Sequence, residues 1–234
     1  HSSDMLNATA DPHEAVRAGK ALARYVYGLV QASRLIPGDD LLSRLIDARL
    51  RTGELTDREI TSMAILLLVA GHETTANQLA LGVAALLCDP DQAARLREAT
   101  DADVVNGAVE ELLRLLTITH FGRRRVATED VAVSGTLIRA GEGVIAAADI
   151  ANRDPDIFAD PDRFDPTRTP NRHVAFGFGV HQCLGQPLAR LELQIAFPAL
   201  LRRFPDLRPA VGVDEIAFRD KLPIYGPQAL PVTW

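Results

Sequence analysis

The chain has 234 residues, of which 47% are hydrophobic, and it carries a formal net charge of −6. It is long enough to bury a large core, and its diffuse charge gives no footprint for nucleic acid. No apolar run reaches the roughly 20 residues that span a bilayer, and no signal peptide opens the chain. A cytoplasmic protein without membrane contact is therefore expected, and its two cysteines, Cys88 and Cys183, are too few for a disulfide framework.

Helical periodicity dominates the first half of the chain. Apolar residues recur near every 3.6 positions in residues 11–34 and 39–51, and Gly53 ends the second pattern. Two further helices are predicted at residues 90–99 and 103–116.

A longer helix is predicted between these pairs. Thr56 and Glu59 have the spacing of a capping box that starts a helix, and no proline interrupts the chain from there to Leu87. The helix would be about 45 Å long. Residues 64–70 are apolar on every side, which predicts that this stretch lies inside the protein.

The second half contains the predicted strands. Residues 123–150 are rich in β-branched side chains and contain two glycine turns, which predicts short antiparallel strands. Residues 152–182 indicate ordered loop, and residues 183–204 indicate another helix, followed by a proline-rich tail with short strands. The predicted fold class is mainly α with a minor β region.

The segment FGFGVHQCLG, residues 176–185, places Cys183 where a glycine-rich loop becomes a helix. Backbone N–H groups and the positive end of the helix favour a thiolate there. The glycines let the backbone pass closely beneath a broad, flat group. Three alternatives exist: a buried thiol beside a turn, a nucleophile served by His181, and a zinc site formed with His173 and His181, which lacks a fourth ligand.

Three other segments contain unusual polar residues. AGHETT, residues 70–75, places polar groups inside the apolar helix, where burial is costly unless they are paired or functional. ELLR places Glu111 and Arg114 on one helical face at i and i+3, as an ion pair requires. Arg163 lies in a loop before the cysteine. A surface salt bridge and an ordinary loop residue are the simpler interpretations of these charged residues.

Taken in order, these segments resemble the cytochrome P-450 haem-thiolate monooxygenases, in particular the soluble bacterial, actinomycete type. FGFGVHQCLG fits the family's haem loop, F-x-x-G-x-H/R-x-C-x-G, AGHETT its oxygen-activation motif, and ELLR its E-x-x-R motif. The resemblance covers nearly the whole chain but begins partway through the family's usual domain. It implies that residues 1–234 are the C-terminal, helix-rich part of a single P-450 domain whose N-terminal half is not in this chain.

The resemblance implies haem b as the cofactor, with Cys183 as the proximal ligand of its iron, on the side of the ring opposite the Ala70–Gly71 segment. The thiolate donates electron density that favours O–O cleavage. His181 and Arg125 would pair with the haem propionates. The other residues implied to contact the cofactor are Ala70, Gly71, Thr75, Phe176, Gly177, Gly179, Leu184 and Gly185.

The resemblance also implies catalytic roles. Glu73 and Thr74 would order the water that delivers protons to bound dioxygen. The alternative for Thr74 is a hydrogen bond back to a carbonyl one turn earlier that only kinks the helix. Val69, Ala70 and Phe121 would line the substrate pocket. A second expectation is a buried triad in which Arg163 joins Glu111 and Arg114.

The function implied is insertion of one oxygen atom from O2 into a small hydrophobic organic substrate. Electrons would come from NAD(P)H through a ferredoxin reductase and a ferredoxin. Peroxide-driven relatives tend to replace the acid–alcohol pair, and the nitric-oxide-reducing branch alters the ETT segment, so the presence of Glu73, Thr74 and Thr75 favours oxygen activation. A peroxide-driven oxygenase and a non-catalytic haem-binding or scaffolding fragment remain the alternatives.

Overall fold

The computed structural model describes residues 12–119, 122–219 and 222–234. Helices dominate, as predicted. The predicted long helix is confirmed, and it begins at Asp57 and ends at Leu87. The helices are α1 Pro12–Leu35, α2 Leu41–Leu45, α3 Asp57–Leu87, α4 Pro90–Glu98, α5 Ala102–Leu115, α6 Ala148–Ala151 and α7 Gln186–Arg203. A π-helical turn, Ile46–Leu50, continues α2. Helix α7 begins three residues later than predicted because the segment through Gly185 stays in a loop.

The strands form three antiparallel pairs within the described residues. Their bounds are β1 Arg123–Val126, β2 Val131–Val133, β3 Thr136–Ile138, β4 Gly143–Ala146, β5 Arg208–Pro209 and β6 Val232–Thr233. The pair β2–β3 turns at Ser134 and Gly135, both at positive φ, and lies between β1 and β4 along the chain. The predicted minor β region is therefore confirmed.

The chain divides into two compact units, one ending at Thr75 and the other beginning at Ala76. In the first unit, Val30, Ile46 and Ile60 form the buried core. The capping box that starts α3 is confirmed: Thr56 N–H donates to Glu59 Oε2 (2.8 Å) and Glu59 N–H donates to Thr56 Oγ1 (3.3 Å).

The second unit has the larger core, in which α5 and α7 pack together. Gly82 on α3 permits close packing, because a Cβ there would lie 2.4 Å from the ring of Phe197. The buried apolar residues of this core are Leu86, Leu96, Ala108, Val109, Leu112, Leu113, Leu193, Phe197 and Leu201.

The prediction that residues 64–70 are enclosed is wrong for this chain. Leu66 is 66% exposed, Leu67 45% and Leu68 47%. The core of the first unit contacts α3 near its start, at Ile60, so it does not cover the apolar stretch one to two turns later. No described helix is long and apolar enough to cross a membrane.

Candidate haem-thiolate site

Residues 176–185, the cysteine loop, close on themselves through backbone hydrogen bonds. Cys183 N–H donates to the Phe176 carbonyl (2.9 Å), and Gln182 N–H donates to the Gly179 carbonyl (2.9 Å). Gly177 (φ 74°) and Gly179 (φ 83°) supply left-handed backbone, which glycine adopts without the steric penalty of a Cβ. The two glycines thus shape the turn that returns Cys183 to Phe176.

An exposed apolar surface surrounds the cysteine. Cys183 itself is half-buried, whereas Phe178 is 89% exposed, Val180 97% and Leu184 87%. Gly185 is the N-cap of α7, and a Cβ built on it would lie 3.9 Å from the Cys183 sulfur. The sulfur therefore lies beside the start of a helix, in a wide apolar setting.

These groups fit an iron porphyrin. One sulfur ligand set among exposed apolar side chains matches a flat apolar cofactor held by a thiolate. The side chains of His181 and Arg125 are exposed and of a type that pairs with carboxylates, although the Arg125 guanidinium here donates to the Arg124 carbonyl (3.0 Å).

The zinc alternative is wrong. In residues 12–119, 122–219 and 222–234, no three His, Cys, Asp or Glu side chains converge to hold a metal ion. His173 contacts Glu110 instead, with 3.0 Å between Nε2 and Oε2.

Glu111 and Arg114 form a fully buried ion pair on α5, each side chain 0% exposed. Arg114 donates from Nε to Oε2 (2.8 Å) and from Nη2 to Oε1 (2.7 Å) of Glu111. Arg168 Nε (3.1 Å) and Asp165 N–H (3.1 Å) also donate to Oε1, and Asn171 Nδ2 donates to Oε2 (3.0 Å). We call these five residues the Glu111 cluster.

The charge of Glu111 is stabilised despite its burial. Burial opposes ionisation, but the hydrogen bonds from Arg114, from Asp165 N–H and from Arg168 outweigh it and lower the pKa of Glu111. The interpretation as a surface salt bridge is therefore wrong, and the buried acid–guanidinium pair is confirmed.

The third member of the predicted triad was wrong. The Arg163 side chain is exposed, and only its backbone carbonyl takes part, accepting from Arg114 Nη2 (3.3 Å). Arg168 supplies the second guanidinium because the Asp165 carboxylate accepts from Thr167 N–H (3.0 Å), which turns the chain back toward Glu111. The signal in the sequence was this Asp-x-Thr turn immediately before Arg168.

Asn152, which the sequence did not indicate, links the Glu111 cluster to the cysteine loop. It is fully buried, its carbonyl accepts from Arg114 Nη1 (2.7 Å), and its Oδ1 accepts from Val174 N–H (2.7 Å). The Val174 carbonyl in turn accepts from Gly177 N–H (2.8 Å). Through these bonds α5 holds the residues that lead into the loop.

The AGHETT segment lies in α3, at the end of the first unit. Glu73 is buried, with its Oε1 3.5 Å from His72 Nδ1. Thr74 Oγ1 donates to the Ala70 carbonyl one turn earlier (2.6 Å), so the hydrogen bond expected in the alternative for Thr74 is present. A Cβ built on Gly71 would meet no atom within 4 Å, so the helix surface there is open to close approach.

The remaining predicted contacts differ in exposure. Ala70, at the start of this segment, is exposed, and Val69 and Thr75 are half-buried. Phe121, the third predicted pocket residue, lies outside the described residues.

The fold, the cysteine loop and the buried acid–guanidinium pair match what the sequence motifs predict for a member of the haem-thiolate class. The family model Cytochrome P-450 matches residues 13–216, and the chain belongs to that family. Among curated relatives, it is 54% identical over 230 residues to cytochrome P-450-SU2 of Streptomyces griseolus, covering 98% of this chain and 56% of the relative. It is 51% identical over 210 residues to pentalenic acid synthase of Streptomyces avermitilis, covering 90% and 52%.

A solved structure agrees with these similarities. The mycinamicin VIII hydroxylase MycCI from Micromonospora griseorubida, bound to mycinamicin VIII, superimposes with a TM-score of 0.92 at 42% identity, covering 100% of this chain and 59% of that one. The chain thus spans a little over half the length of the relatives it matches.

Proposed function

We propose that the chain acts as part of a haem-thiolate monooxygenase that inserts one oxygen atom from O2 into a small hydrophobic organic substrate. The cysteine loop is the observation that carries this proposal. It places the Cys183 thiol among exposed apolar side chains, and hydrogen bonds through Asn152 connect it to the buried Glu111 cluster. Hydroxylase and oxygenase names among the relatives support the same reaction class.

Cys183 would hold the iron of haem b, and His181 and Arg125 would bind its propionates. When bound, this group supplies the activation of O2. The chain's own contribution on the sulfur side is to fix Cys183 through its N–H bond to Phe176 and to present the exposed side chains of Phe178 and Leu184 as an apolar surface for the cofactor. Backbone constraint of this kind sets the orientation of a metal ligand before the metal binds.

Glu73 and Thr74 would handle protons. The Thr74 hydroxyl donates its own hydrogen to the Ala70 carbonyl, so its oxygen is left to accept a hydrogen bond from a water. That geometry favours holding a donor water at Oγ1 rather than giving up the hydroxyl proton. Glu73, buried next to His72, would resupply the proton.

Electrons would arrive from NAD(P)H through a ferredoxin reductase and a ferredoxin, as in the soluble bacterial members that the sequence resembles. The names of the relatives support the proposed substrate class, since they include pentalenic acid synthase and a mycinamicin VIII hydroxylase. We propose that the protein works in the cytoplasm, because Cys183 must stay reduced to bind iron.

We further propose that residues 1–234 form the C-terminal part of one P-450 domain. The support is an apolar stripe in which Leu188, Leu191 and Ile195 recur at helical spacing on α7 and are 51–60% exposed, with Leu184, 87% exposed, just before the helix. Monomeric proteins rarely leave such a continuous apolar stripe in water. The remaining length of the family's domain would cover it.

A non-catalytic haem-binding or scaffolding fragment is the second candidate, favoured by the same exposed stripe. A spectrum of the purified chain with haem, reductant and carbon monoxide tests both. A strongly red-shifted ferrous–CO band supports the thiolate site, and product formation with ferredoxin, its reductase and NADPH supports the monooxygenase. A red-shifted band without O2-dependent turnover, but with turnover on added peroxide, would favour a peroxide-driven oxygenase.

A further inference from the structure

A second charged cluster lies directly behind the cysteine loop. Arg190 on α7 donates from Nε to Glu110 Oε1 (2.6 Å) and from Nη2 to Glu110 Oε2 (3.0 Å). His173 Nε2 lies 3.0 Å from Glu110 Oε2, and the His173 side chain is only 2% exposed. We call Glu110, His173 and Arg190 the Glu110 cluster; none of its members belongs to the Glu111 cluster.

The two ring nitrogens of His173 have different hydrogen-bond partners. Ala175 N–H donates to Nδ1 (3.3 Å), so Nδ1 carries the lone pair. The ring hydrogen is then on Nε2, where it is donated to the Glu110 carboxylate. Glu110 therefore accepts from a histidine N–H on one side and from the Arg190 guanidinium on the other. The guanidinium contact is bidentate, which fixes orientation as well as charge.

Both partners of Glu110 reach the base of the loop. His173 binds the backbone of Ala175, and the Arg190 guanidinium lies over the Phe176 ring, 4.7 Å from its centroid. The carbonyl of Phe176 is the acceptor for Cys183 N–H. Through these side-chain contacts the Glu110 cluster fixes residues 173–176. The backbone of Cys183 is hydrogen-bonded to the last residue of this segment.

Arg190 also contacts the first residue of α7, immediately after the loop. Its Nη1 donates to Gln186 Oε1 (2.9 Å), and Gln182 Nε2 donates to the same oxygen (3.4 Å). One guanidinium therefore connects α5, the residue that begins the cysteine loop and the first turn of α7.

We propose that Glu110, His173 and Arg190 are positioning residues that hold the cysteine loop in its iron-ligating conformation before any cofactor binds. The role is distinct from that of the Glu111 cluster. Glu111 and Arg114 are fully buried, whereas the side chains of Glu110 and Arg190 are 26% and 29% exposed, so their loss loosens the loop without unfolding the unit. This inference rests on the proposed role of Cys183 as the ligand, but its test does not.

The test measures hydrogen exchange of single amides in the 234-residue chain without haem. In Arg190→Ala and Glu110→Ala, exchange at the Cys183 and Gln182 amides should rise by about tenfold or more, as expected for local opening. The amide of Leu96, in the core of the second unit, should exchange at the wild-type rate. Arg202→Ala is the matched control, because Arg202 is on the same helix but donates to the Arg97 and Ala99 carbonyls.

Conservative variants separate positioning from general stability. His173→Gln keeps a donor near Nε2, so exchange at Cys183 should stay closer to wild type in it than in His173→Ala. The reactivity of the Cys183 thiol toward an alkylating reagent, in a Cys88→Ser background, should follow the same order. Equal exchange at Cys183 in wild type and Arg190→Ala would overturn the proposal, as would a uniform rise that includes Leu96. Loop exchange that changes as expected in a chain that never binds haem would support positioning while counting against the haem function.

Discussion

The Glu111 cluster gives the sharpest test of the fold, because the sequence and the structure disagree about one of its members. In Glu111→Ala, the Arg114 side chain, 0% exposed, and the Arg168 side chain, 10% exposed, lose their common anion. Removing one partner of a buried pair costs about 3–5 kcal/mol, against a total stability of about 5–15 kcal/mol for a typical domain. Glu111→Ala should therefore give little soluble protein or a strongly lowered unfolding midpoint.

Arg168→Ala should lower the free energy of unfolding more than Arg163→Ala does. Arg168→Ala leaves Glu111 with both of its hydrogen bonds from Arg114, so the expected loss is that of a hydrogen bond to a charged group, about 1.5–3 kcal/mol. Arg163→Ala is the matched control, since its side chain is exposed and only its backbone carbonyl contributes. Its effect should stay within about 0.5 kcal/mol.

Urea unfolding followed by far-ultraviolet circular dichroism, with linear extrapolation to water, measures these differences. Each variant should show an unchanged slope and a shifted midpoint. The reasoning is refuted if Arg163→Ala destabilises the chain as much as Arg168→Ala, or if Glu111→Ala unfolds at the wild-type midpoint.

Three further predictions concern the site. Cys183→His should abolish the red-shifted ferrous–CO band while Cys88→Ala retains it, and a wild-type spectrum from Cys183→His would end the thiolate assignment. With redox partners, Thr74→Ala should consume NADPH at a near-normal rate but release peroxide, whereas Glu73→Gln should slow turnover; full coupling in Thr74→Ala would refute the water-holding role. Burial opposes ionisation of Glu110, but hydrogen bonds from its two partners lower its pKa from 4.5 to about 2. The stability that ionised Glu110 contributes is therefore complete above pH 4.5 and lost as pH falls toward 2. The difference in free energy of unfolding between wild type and Glu110→Gln should disappear over that range.

Features set by neighbouring residues were predictable from the sequence. The Thr56–Glu59 spacing identified the start of α3, and the i, i+3 spacing identified the pairing of Glu111 with Arg114. Both depend on the helical repeat, which one sequence shows directly.

Features set by loop geometry or distant elements were not predictable. Arg163 and Arg168 are chemically identical and lie in the same loop, and only the Asp165 turn decides which guanidinium reaches Glu111. Asn152 gave no signal, because its partners Arg114 and Val174 lie 38 and 22 residues away from it in the chain. The exposure of Leu66 depends on which elements cover α3, which hydrophobicity alone does not specify.

The two acids next to each other on α5 explain how one helix controls the cysteine loop. Consecutive helical residues project about 100° apart, so Glu111 faces the loop that carries Arg168, while Glu110 faces Arg190 on α7. The Glu111 cluster binds the Val174 backbone through Asn152. The Glu110 cluster binds the Ala175 backbone through His173. The same short segment is thus held by two charge networks whose anions both sit on α5. The hydrogen bonds and glycines of the loop motif shape the turn itself, while residues outside the motif fix the segment 173–176 on which the turn closes.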